Sequence, residues 1–234
     1  MRSIGIILTA AALCAGACGP RDEPPPAAPV EAAQSATGSS GTTSPTSPAR
    51  PRIVVLGDSL TAGLGLAPAQ AYPNLLQQRL TDAGMQYEVV NAGVSGDTSA
   101  GGLSRLDWAL DGDVKILVVA LGGNDALRGL PPEGLKKNLS QIIERAQARH
   151  ISVVLAGMEA PTNYGADYQR AFHQVYPALA AQYTIPLVPF LLEGVGGMAR
   201  LNQPDGIHPT AEGARMLADN VWIVLKPLVE SHGS

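Results

Sequence analysis

From Arg52 onward, the sequence alternates between short β-branched runs and longer segments with helical periodicity. The run from Arg52 to Gly57 is apolar and ends in glycine, which predicts a strand buried on both faces. The next segment repeats apolar residues at three- and four-residue spacing, and Gly84 follows it as a helix stop signal. Parallel strands need crossover connections, which are usually helical. The alternation therefore predicts an α/β domain with a mostly parallel sheet and helices on both faces.

The same patterns locate five strands and five helices along the chain. We expect strands at about residues 52–57, 87–91, 115–121, 151–156 and 185–188. We expect helices at about residues 72–80, 100–110, 135–146, 167–182 and 210–225. In open sheets of this kind, ligands bind beyond the carboxyl ends of the strands. The segments that follow the strands are therefore where a functional site is expected.

Composition restricts the chemistry that such a domain can perform. Sixteen basic and 20 acidic side chains give a formal charge of -4, and no long basic run is present to follow a nucleic acid backbone. Both cysteines lie in the first eighteen residues, so the domain has no disulfide, thiolate metal site or cysteine nucleophile. Four histidines without a His-Glu-x-x-His arrangement argue against a zinc site.

The beginning of the chain has the pattern of an export signal. Arg2 precedes an apolar run from Ile4 to Ala17, which ends in small residues and is too short for a typical transmembrane helix. Residues 15–18, Ala-Gly-Ala-Cys, resemble the end of a bacterial lipoprotein signal, in which the cysteine is lipidated. Ala15 stands where this pattern prefers leucine, and cleavage by an ordinary signal peptidase is the alternative. We expect export to the periplasm, with membrane attachment if Cys18 is lipidated.

The segment from Gly19 to Pro51 is rich in Pro, Ala, Ser, Thr and Gly and has almost no large apolar side chains. Such a segment cannot offset the entropy lost on ordering, so we predict a disordered tether. The predicted organisation is a signal peptide over 1–18, a linker over 19–51 and one domain over 52–234.

A candidate nucleophile follows the first predicted strand, in Gly57-Asp58-Ser59-Leu60. By itself this motif is weak evidence, because Gly-Asp-Ser is common turn chemistry and also suits a helix N-cap. Its place after a buried strand strengthens the interpretation, since a serine at a strand-to-helix turn presents its hydroxyl to the crevice.

A serine nucleophile needs a base and a group that orients the base. Asp205 and His208 lie three residues apart in a loop before the last predicted helix, close enough for a carboxylate–imidazole hydrogen bond. The alternatives are a solvated loop histidine and an Asx-turn aspartate.

A tetrahedral intermediate also needs hydrogen-bond donors for its oxyanion. The candidates are the backbone N–H of Ser59, the backbone N–H of Gly93 and the side-chain amide of Asn124, each at the end of a different strand. Turn geometry alone would also explain Gly93 and Asn124.

These four blocks, in this order, resemble those of the SGNH, or GDSL, hydrolase superfamily. Within it, the chain looks most like the bacterial periplasmic thioesterases that also act as lysophospholipases and arylesterases. The similarity spans residue 52 to about residue 229 and is tightest at residues 91–99, 121–129, 161–165 and 205–209.

The resemblance implies a three-layer α/β/α flavodoxin-like fold with a five-stranded sheet and a Ser59–His208–Asp205 triad. It also implies an oxyanion hole from Ser59, Gly93 and Asn124, and hydrolysis of small esters, thioesters and lysophospholipids without any cofactor or metal. Asn163 and Tyr164 follow the fourth strand, so we predict that they border the acyl pocket, although packing would explain Tyr164 equally well. We expect a monomer.

Three other functions remain open from the sequence. A carbohydrate or peptidoglycan O-acetylesterase would use the same scaffold. A metal-dependent phosphohydrolase would gather Mg²⁺ or Mn²⁺ with Asp58, Asp125, Asp205 and His208. A surface lipoprotein that kept the fold without the chemistry is the third possibility.

Overall fold

The computed structural model describes residues 50–232, so the predicted signal peptide, Cys18 and almost all of the predicted linker lie outside the described residues. The sheet consists of β1 (Arg52–Gly57), β2 (Glu88–Gly93), β3 (Val114–Ala120), β4 (Ser152–Ala156) and β5 (Leu187–Val188). The α-helices within the described range are α1 (Ser59–Ala62), α2 (Tyr72–Asp82), α3 (Ser99–Ser104), α4 (Leu106–Ala109), α5 (Gly123–Leu127), α6 (Pro132–Gln147), α7 (Ala166–Tyr183) and α8 (Ala211–His232). Short 3-10 helices span Pro68–Gln70, Thr162–Tyr164 and Ala199–Leu201.

All five strands are parallel, in the order β2-β1-β3-β4-β5. The chain moves from β1 to one side and then crosses over β1 to form β3, so the strand order reverses between β1 and β3. A crevice opens at the carboxyl ends of the strands at such a switch point. The segments after β1 and β3 therefore flank this crevice, and they contain Ser59 and Asn124.

The sheet is buried between two helical layers. In the central strands β1 and β3, almost every side chain is inaccessible to solvent, because helices cover both faces. Helices α2 and α8 pack together, whereas α6 packs against both α3 and α7. Right-handed crossovers place α2 on one face and α3, α6 and α7 on the opposite face, and α8 packs beside α2. The predicted three-layer α/β/α fold with a five-stranded sheet is confirmed, and the sheet is parallel throughout.

Two predicted helices differ from those in the structure. The helix expected at about residues 100–110 is divided into α3 and α4 at Arg105, whose side chain turns to bind Asp97 and the carbonyl of Gly57. The last helix continues to His232 and passes Pro227, because Leu225 and Val229 on either side of this proline are both buried. Packing thus outweighs the tendency of proline to end a helix.

The short helices α1 and α5 were not predicted as separate elements. Each has five residues or fewer and directly follows a central strand. Among residues 50–232, no helix has the length and apolar character needed to cross a lipid bilayer.

Candidate active site

Helix α1 presents Ser59 at the carboxyl end of β1. Asp58 caps this helix by accepting a hydrogen bond from the N–H of Leu60 at 3.0 Å. A Cβ on Gly57 would lie 1.9 Å from Oγ1 of Thr61, so only glycine lets α1 start this close to the strand. As the first residue of the helix, Ser59 has a backbone N–H with no acceptor inside the helix. The turn therefore exposes both the hydroxyl and the amide of Ser59 to the crevice.

The structure brings Ser59, His208 and Asp205 together in one hydrogen-bonded chain. Nε2 of His208 lies 2.9 Å from Oγ of Ser59, and Nδ1 lies 2.7 Å from Oδ2 of Asp205. With the proton on Nδ1 donated to the carboxylate, Nε2 is free to accept the serine proton. These distances suit a nucleophile, a base and a group that orients the base.

Asp205 is held as a carboxylate by its own loop. Its hydrogen bond with the His208 ring and those from the backbone N–H groups of His208 and Ile207 lower its pKa from 3.8 to about 2. The side chain of Asp205 is half-exposed, whereas that of His208 is only 14% exposed. The imidazole is thus shielded from solvent, and its ionised partner stays in contact with water.

Asn124 faces the same crevice from α5 and is positioned by Asp58. Its Nδ2 donates to Oδ2 of Asp58 at 3.3 Å, and both residues line the cleft beside Ser59. Asp58 is only 2% exposed. Burial raises its pKa from 3.8 to about 6, although the hydrogen bonds from Leu60 and Asn124 act in the opposite direction. A buried carboxylate therefore fixes one N–H of the Asn124 amide and leaves the second for a ligand.

Gly93 lies where the sequence predicts, but its amide has a partner. A Cβ on Gly93 would lie 2.2 Å from the backbone nitrogen of Ala62, so this residue packs directly against α1. Its N–H donates to Oδ1 of Asn91 at 3.0 Å, and Nδ2 of Asn91 donates to the carbonyl of Thr61 at 2.9 Å. The Gly93 amide would have to leave Asn91 before it could bind an oxyanion.

A cleft of about 290 Å³ opens next to the Ser59 hydroxyl. Its walls come mainly from apolar side chains that follow β3, β4 and β5. The apolar side chains in this lining are Leu60, Ala126, Leu127, Met158, Ala160, Pro161, Leu192 and Ile207. Glu159 also lines the cleft and contacts Nδ1 of His173 at 2.6 Å. An apolar acyl chain fits these walls.

Asn163 and Tyr164 lie in the 3-10 helix after β4, just past Pro161. Neither is among the described residues that line the cleft, although Pro161 is. The Tyr164 hydroxyl donates to the carbonyl of Leu127 at 3.0 Å, and Leu127 does line the cleft. In this structure Tyr164 thus reaches the cleft through Leu127, and its predicted role in substrate binding stays a prediction.

Tyr164 belongs to a row of aromatic side chains that sequence reasoning missed. Tyr164, Tyr168, Phe172 and Tyr176 contact one another in series, with ring centroids 5.2 to 6.0 Å apart. The hydroxyls of Tyr168 and Tyr176 donate to the carbonyls of Leu130 and Leu121. Together with Tyr164, they attach the segment that carries Asn124 to α7 and to the 3-10 helix before it. Their four-residue spacing was the available signal, but it is equally typical of core packing.

The carboxylates proposed for a metal site have separate partners. Asp125 accepts hydrogen bonds from the N–H and hydroxyl of Ser99, at 2.7 and 2.6 Å. Asp58 binds Leu60 and Asn124, and Asp205 binds His208. Within residues 50–232, no three His, Cys, Asp or Glu residues are grouped so that they could hold a metal ion. These contacts support the hydrolase arrangement over the metal-dependent one.

The chain is similar to known esterases and thioesterases. The sequence pattern of the GDSL-like Lipase/Acylhydrolase family matches residues 55–216. The chain is 51% identical to Esterase TesA of Pseudomonas aeruginosa over 178 residues, which are 76% of this chain and 89% of that protein. It is 39% identical to Thioesterase 1/protease 1/lysophospholipase L1 of Escherichia coli over 178 residues, or 76% and 84% of the two chains. A crystal structure of TesA superimposes with a TM-score of 0.73 at 49% identity and covers 76% of this chain and 99% of that chain.

Proposed function

Because the chain belongs to the GDSL-like lipase/acylhydrolase family, we propose that it hydrolyses carboxylic esters and thioesters through an acyl-enzyme formed on Ser59. The observation that carries this proposal is the continuous hydrogen-bonded chain from the Ser59 hydroxyl through His208 to Asp205. An activated hydroxyl beside an apolar cleft is the arrangement that acyl transfer needs.

In the first half of the reaction, Oγ of Ser59 attacks the acyl carbon and its proton passes to Nε2 of His208. Asp205 stabilises the imidazolium that forms, because its carboxylate is ionised at every pH above about 2 to 3. Nδ2 of Asn124 and the N–H of Ser59 bind the oxyanion, and the Gly93 N–H joins them once it releases Asn91. Collapse of the tetrahedral intermediate expels the alcohol or thiol, which takes the proton from His208.

In the second half, water attacks the acyl-enzyme. His208 removes a proton from this water, and the same donors bind the second oxyanion. The ester bond to Ser59 then breaks, the acid leaves, and the proton returns from His208 to Oγ. All the proton transfers use groups that are present in the chain.

The cleft favours an acyl chain longer than acetyl. Its volume of about 290 Å³ lies at the lower end of the range of small-molecule sites, which is about 300 to 1,000 Å³. An acetyl group would leave most of the apolar wall without contact. We therefore propose that the preferred substrates are esters and thioesters of short to medium acyl chains, with an alcohol or thiol as leaving group.

A panel of substrates tests the function. The purified protein should react with a fluorophosphonate at Ser59 and turn over p-nitrophenyl esters. Hexanoate has four more methylene groups than acetate, and burying even two of them contributes about 1.6 kcal/mol, so hexanoate should exceed acetate at least tenfold in kcat/KM. Hexanoyl-CoA in the same panel compares thioester with ester at equal acyl length, and palmitoyl-CoA tests a longer chain. A preference for acetate would support the O-acetylesterase, and loss of all activity in chelator with recovery on adding metal would support the phosphohydrolase.

Export and lipidation are proposed from the sequence outside the described residues. We propose that the protein is exported to the periplasm and that Cys18 is lipidated there, because the apolar run before it ends in small residues. Cys18→Ser should release the protein from the membrane fraction and abolish labelling by an alkyne-tagged fatty acid. Cys14→Ser is the matched control and should change neither result. Equal labelling of the two variants would contradict the assignment of Cys18.

A further inference from the structure

The exposed large apolar side chains of the described domain are concentrated at one edge of the sheet. Seven of them lie in the segments that follow the carboxyl ends of the strands and are 38–49% exposed. We call these seven the apolar rim: Leu64, Val94, Leu127, Leu130, Tyr164, Met198 and Ile207. Two others in residues 50–232 lie on helices elsewhere, Trp108 in α4 and Ile223 in α8, at 72% and 73% exposure.

Several members of the apolar rim line the cleft or contact residues beside it. Leu127 and Ile207 line the cleft themselves. The carbonyls of Leu64 and Met198 accept hydrogen bonds from the side chains of Gln203 and Asn202, and Asn202 also lines the cleft. The members of the rim come from every segment that follows a strand at this edge, and the cleft opens at the same edge.

The exposure of the rim is built into the fold. The carbonyls of Leu127 and Leu130 accept hydrogen bonds from the hydroxyls of Tyr164 and Tyr168. The N–H of Val94 donates to the carbonyl of Gly57 at the end of β1. These hydrogen bonds fix the backbones of Leu127, Leu130 and Val94. Their side chains remain exposed to water, which is unfavourable for apolar groups. A large exposed apolar surface around a cleft marks an interaction site.

We propose that the apolar rim docks the catalytic face on the surface of a phospholipid bilayer, so that acyl chains pass from the lipid directly into the cleft. This inference rests on the proposed esterase function. The side chains of the rim would enter the boundary between headgroups and acyl chains, as apolar faces of membrane-surface proteins do. The Ser59 hydroxyl, which lies beside the cleft, would then face the lipid.

The charges near the rim favour a zwitterionic surface. Arg128 and Arg200 are the cationic side chains in the segments that carry the rim, and the exposed acidic side chains there are Glu159, Glu193 and Asp205. With no basic excess, attraction to anionic lipids would add little. Apolar contact is therefore the main source of affinity, and salt should have little influence on binding.

The position of the N-terminal segment is compatible with this orientation. Arg52 begins β1 at the amino edge of the sheet, opposite Ser59, and the six residues of β1 span about 20 Å. Residues 19–49 separate Cys18 from the described domain, and a chain of that length reaches at most about 100 Å. A protein attached through Cys18 therefore has enough chain to turn its catalytic edge towards the same bilayer.

Vesicle binding tests the proposal in the mature chain, which lacks the part of the predicted signal peptide before Cys18 and carries Cys18→Ser, so that neither a covalent lipid nor the apolar leader contributes. The rim variant is Leu64→Gln/Met198→Gln, because neither side chain lines the cleft. The control is Trp108→Gln/Ile223→Gln, which removes two more exposed apolar side chains from other surfaces. On phosphatidylcholine vesicles, the rim variant should bind at least about tenfold more weakly than the parent, and the control within about twofold. Hydrolysis of lysophosphatidylcholine in the vesicles should fall in parallel.

Two further measurements separate docking from catalysis. Turnover of soluble p-nitrophenyl butyrate should stay within about twofold in both variants, and vesicle binding should persist between about 0.1 and 0.5 M salt. Equal binding by parent and rim variant, equal losses in the control, or loss of binding in salt would overturn the proposal. A molecular mass in solution that rises with protein concentration only when the rim is intact would also overturn the proposal, because the rim would then contact a second copy of the chain. Absence of soluble ester turnover in the parent would instead contradict the proposed function.

Discussion

Replacing Ser59 by alanine is expected to lower kcat/KM for p-nitrophenyl hexanoate on the order of 10⁴-fold or more. The variant lacks the oxygen that forms the acyl-enzyme, and within residues 50–232 Ser59 is the residue whose side chain is hydrogen-bonded to Nε2 of His208, at 2.9 Å. Only the oxyanion donors and the apolar cleft would remain to assist attack by water. Steady-state kinetics and the loss of fluorophosphonate labelling measure the effect together.

The fold should survive this substitution. Alanine is a good helix former, and Ser59 contributes only one side-chain hydrogen bond at the first position of α1. We expect the free energy of unfolding to change by less than about 1 kcal/mol. Ser95→Ala is the matched control, because Ser95 is an exposed serine that follows β2 at the same sheet edge. Near-normal turnover by Ser59→Ala would refute the acyl-enzyme mechanism.

The layout of the sheet could be predicted because its central strands carry an unambiguous pattern. Residues in β1 and β3 are apolar on both faces, and only a doubly covered strand tolerates this. The short fifth strand was expected at 185–188 but forms only at Leu187–Val188. At the edge of the sheet, few contacts specify where pairing begins.

The break between α3 and α4 could not be predicted, since it depends on a tertiary contact. Local apolar spacing extends through Arg105, but this side chain binds Asp97 and the Gly57 carbonyl at 2.6 and 2.9 Å. One guanidinium nitrogen of Arg105 is buried without a hydrogen-bond partner among the described residues. The residue thus links the segment after β2 to the end of β1, a relation that appears only when the strands are aligned.

The sequence also placed Ser59, His208, Asp205 and Asn124 at one site, because parallel strands deliver their following segments to the same edge. It did not reveal the direction of individual hydrogen bonds. The side chain of Asn91 accepts the hydrogen bond of the Gly93 N–H. The Tyr164 hydroxyl donates to the carbonyl of Leu127, which lines the cleft, and Tyr164 itself does not line it. These features depend on side-chain rotamers that residue spacing does not encode.

Asp58 is the residue whose importance was most underestimated. From the sequence it was a helix cap or a metal ligand, and in the structure it is the buried acceptor for the Asn124 amide. Asp58→Asn should therefore lower kcat on the order of a hundredfold, with little change in KM. The new amide would turn an N–H towards Asn124, which would have to present its oxygen and withdraw its donor from the oxyanion.

The same substitution should remove a pH dependence of stability. The pKa of Asp58 is about 6 in the folded protein, against 3.8 for an ordinary aspartate. Between these values the folded state binds more protons than the unfolded state, so the free energy of unfolding falls as pH rises from about 4 to about 6. The fall amounts to about 3 kcal/mol and should be absent in Asp58→Asn. Asp205 acts in another pH range. Its lowered pKa contributes stability that is lost as pH falls from 3.8 towards about 2.

A double-mutant cycle decides whether Asp58 acts through Asn124. Asn124→Ala alone should lower kcat on the order of a hundredfold or more, because it removes the side-chain donor itself. If Asp58 serves catalysis by orienting this amide, adding Asp58→Asn to Asn124→Ala should lower kcat by less than about threefold further. Independent, multiplicative losses would show that Asp58 acts on Ser59 through the cap of α1. In either case the pH dependence of unfolding should disappear with Asp58, because it originates in the buried carboxylate and not in the hydrogen bond that Asn124 donates.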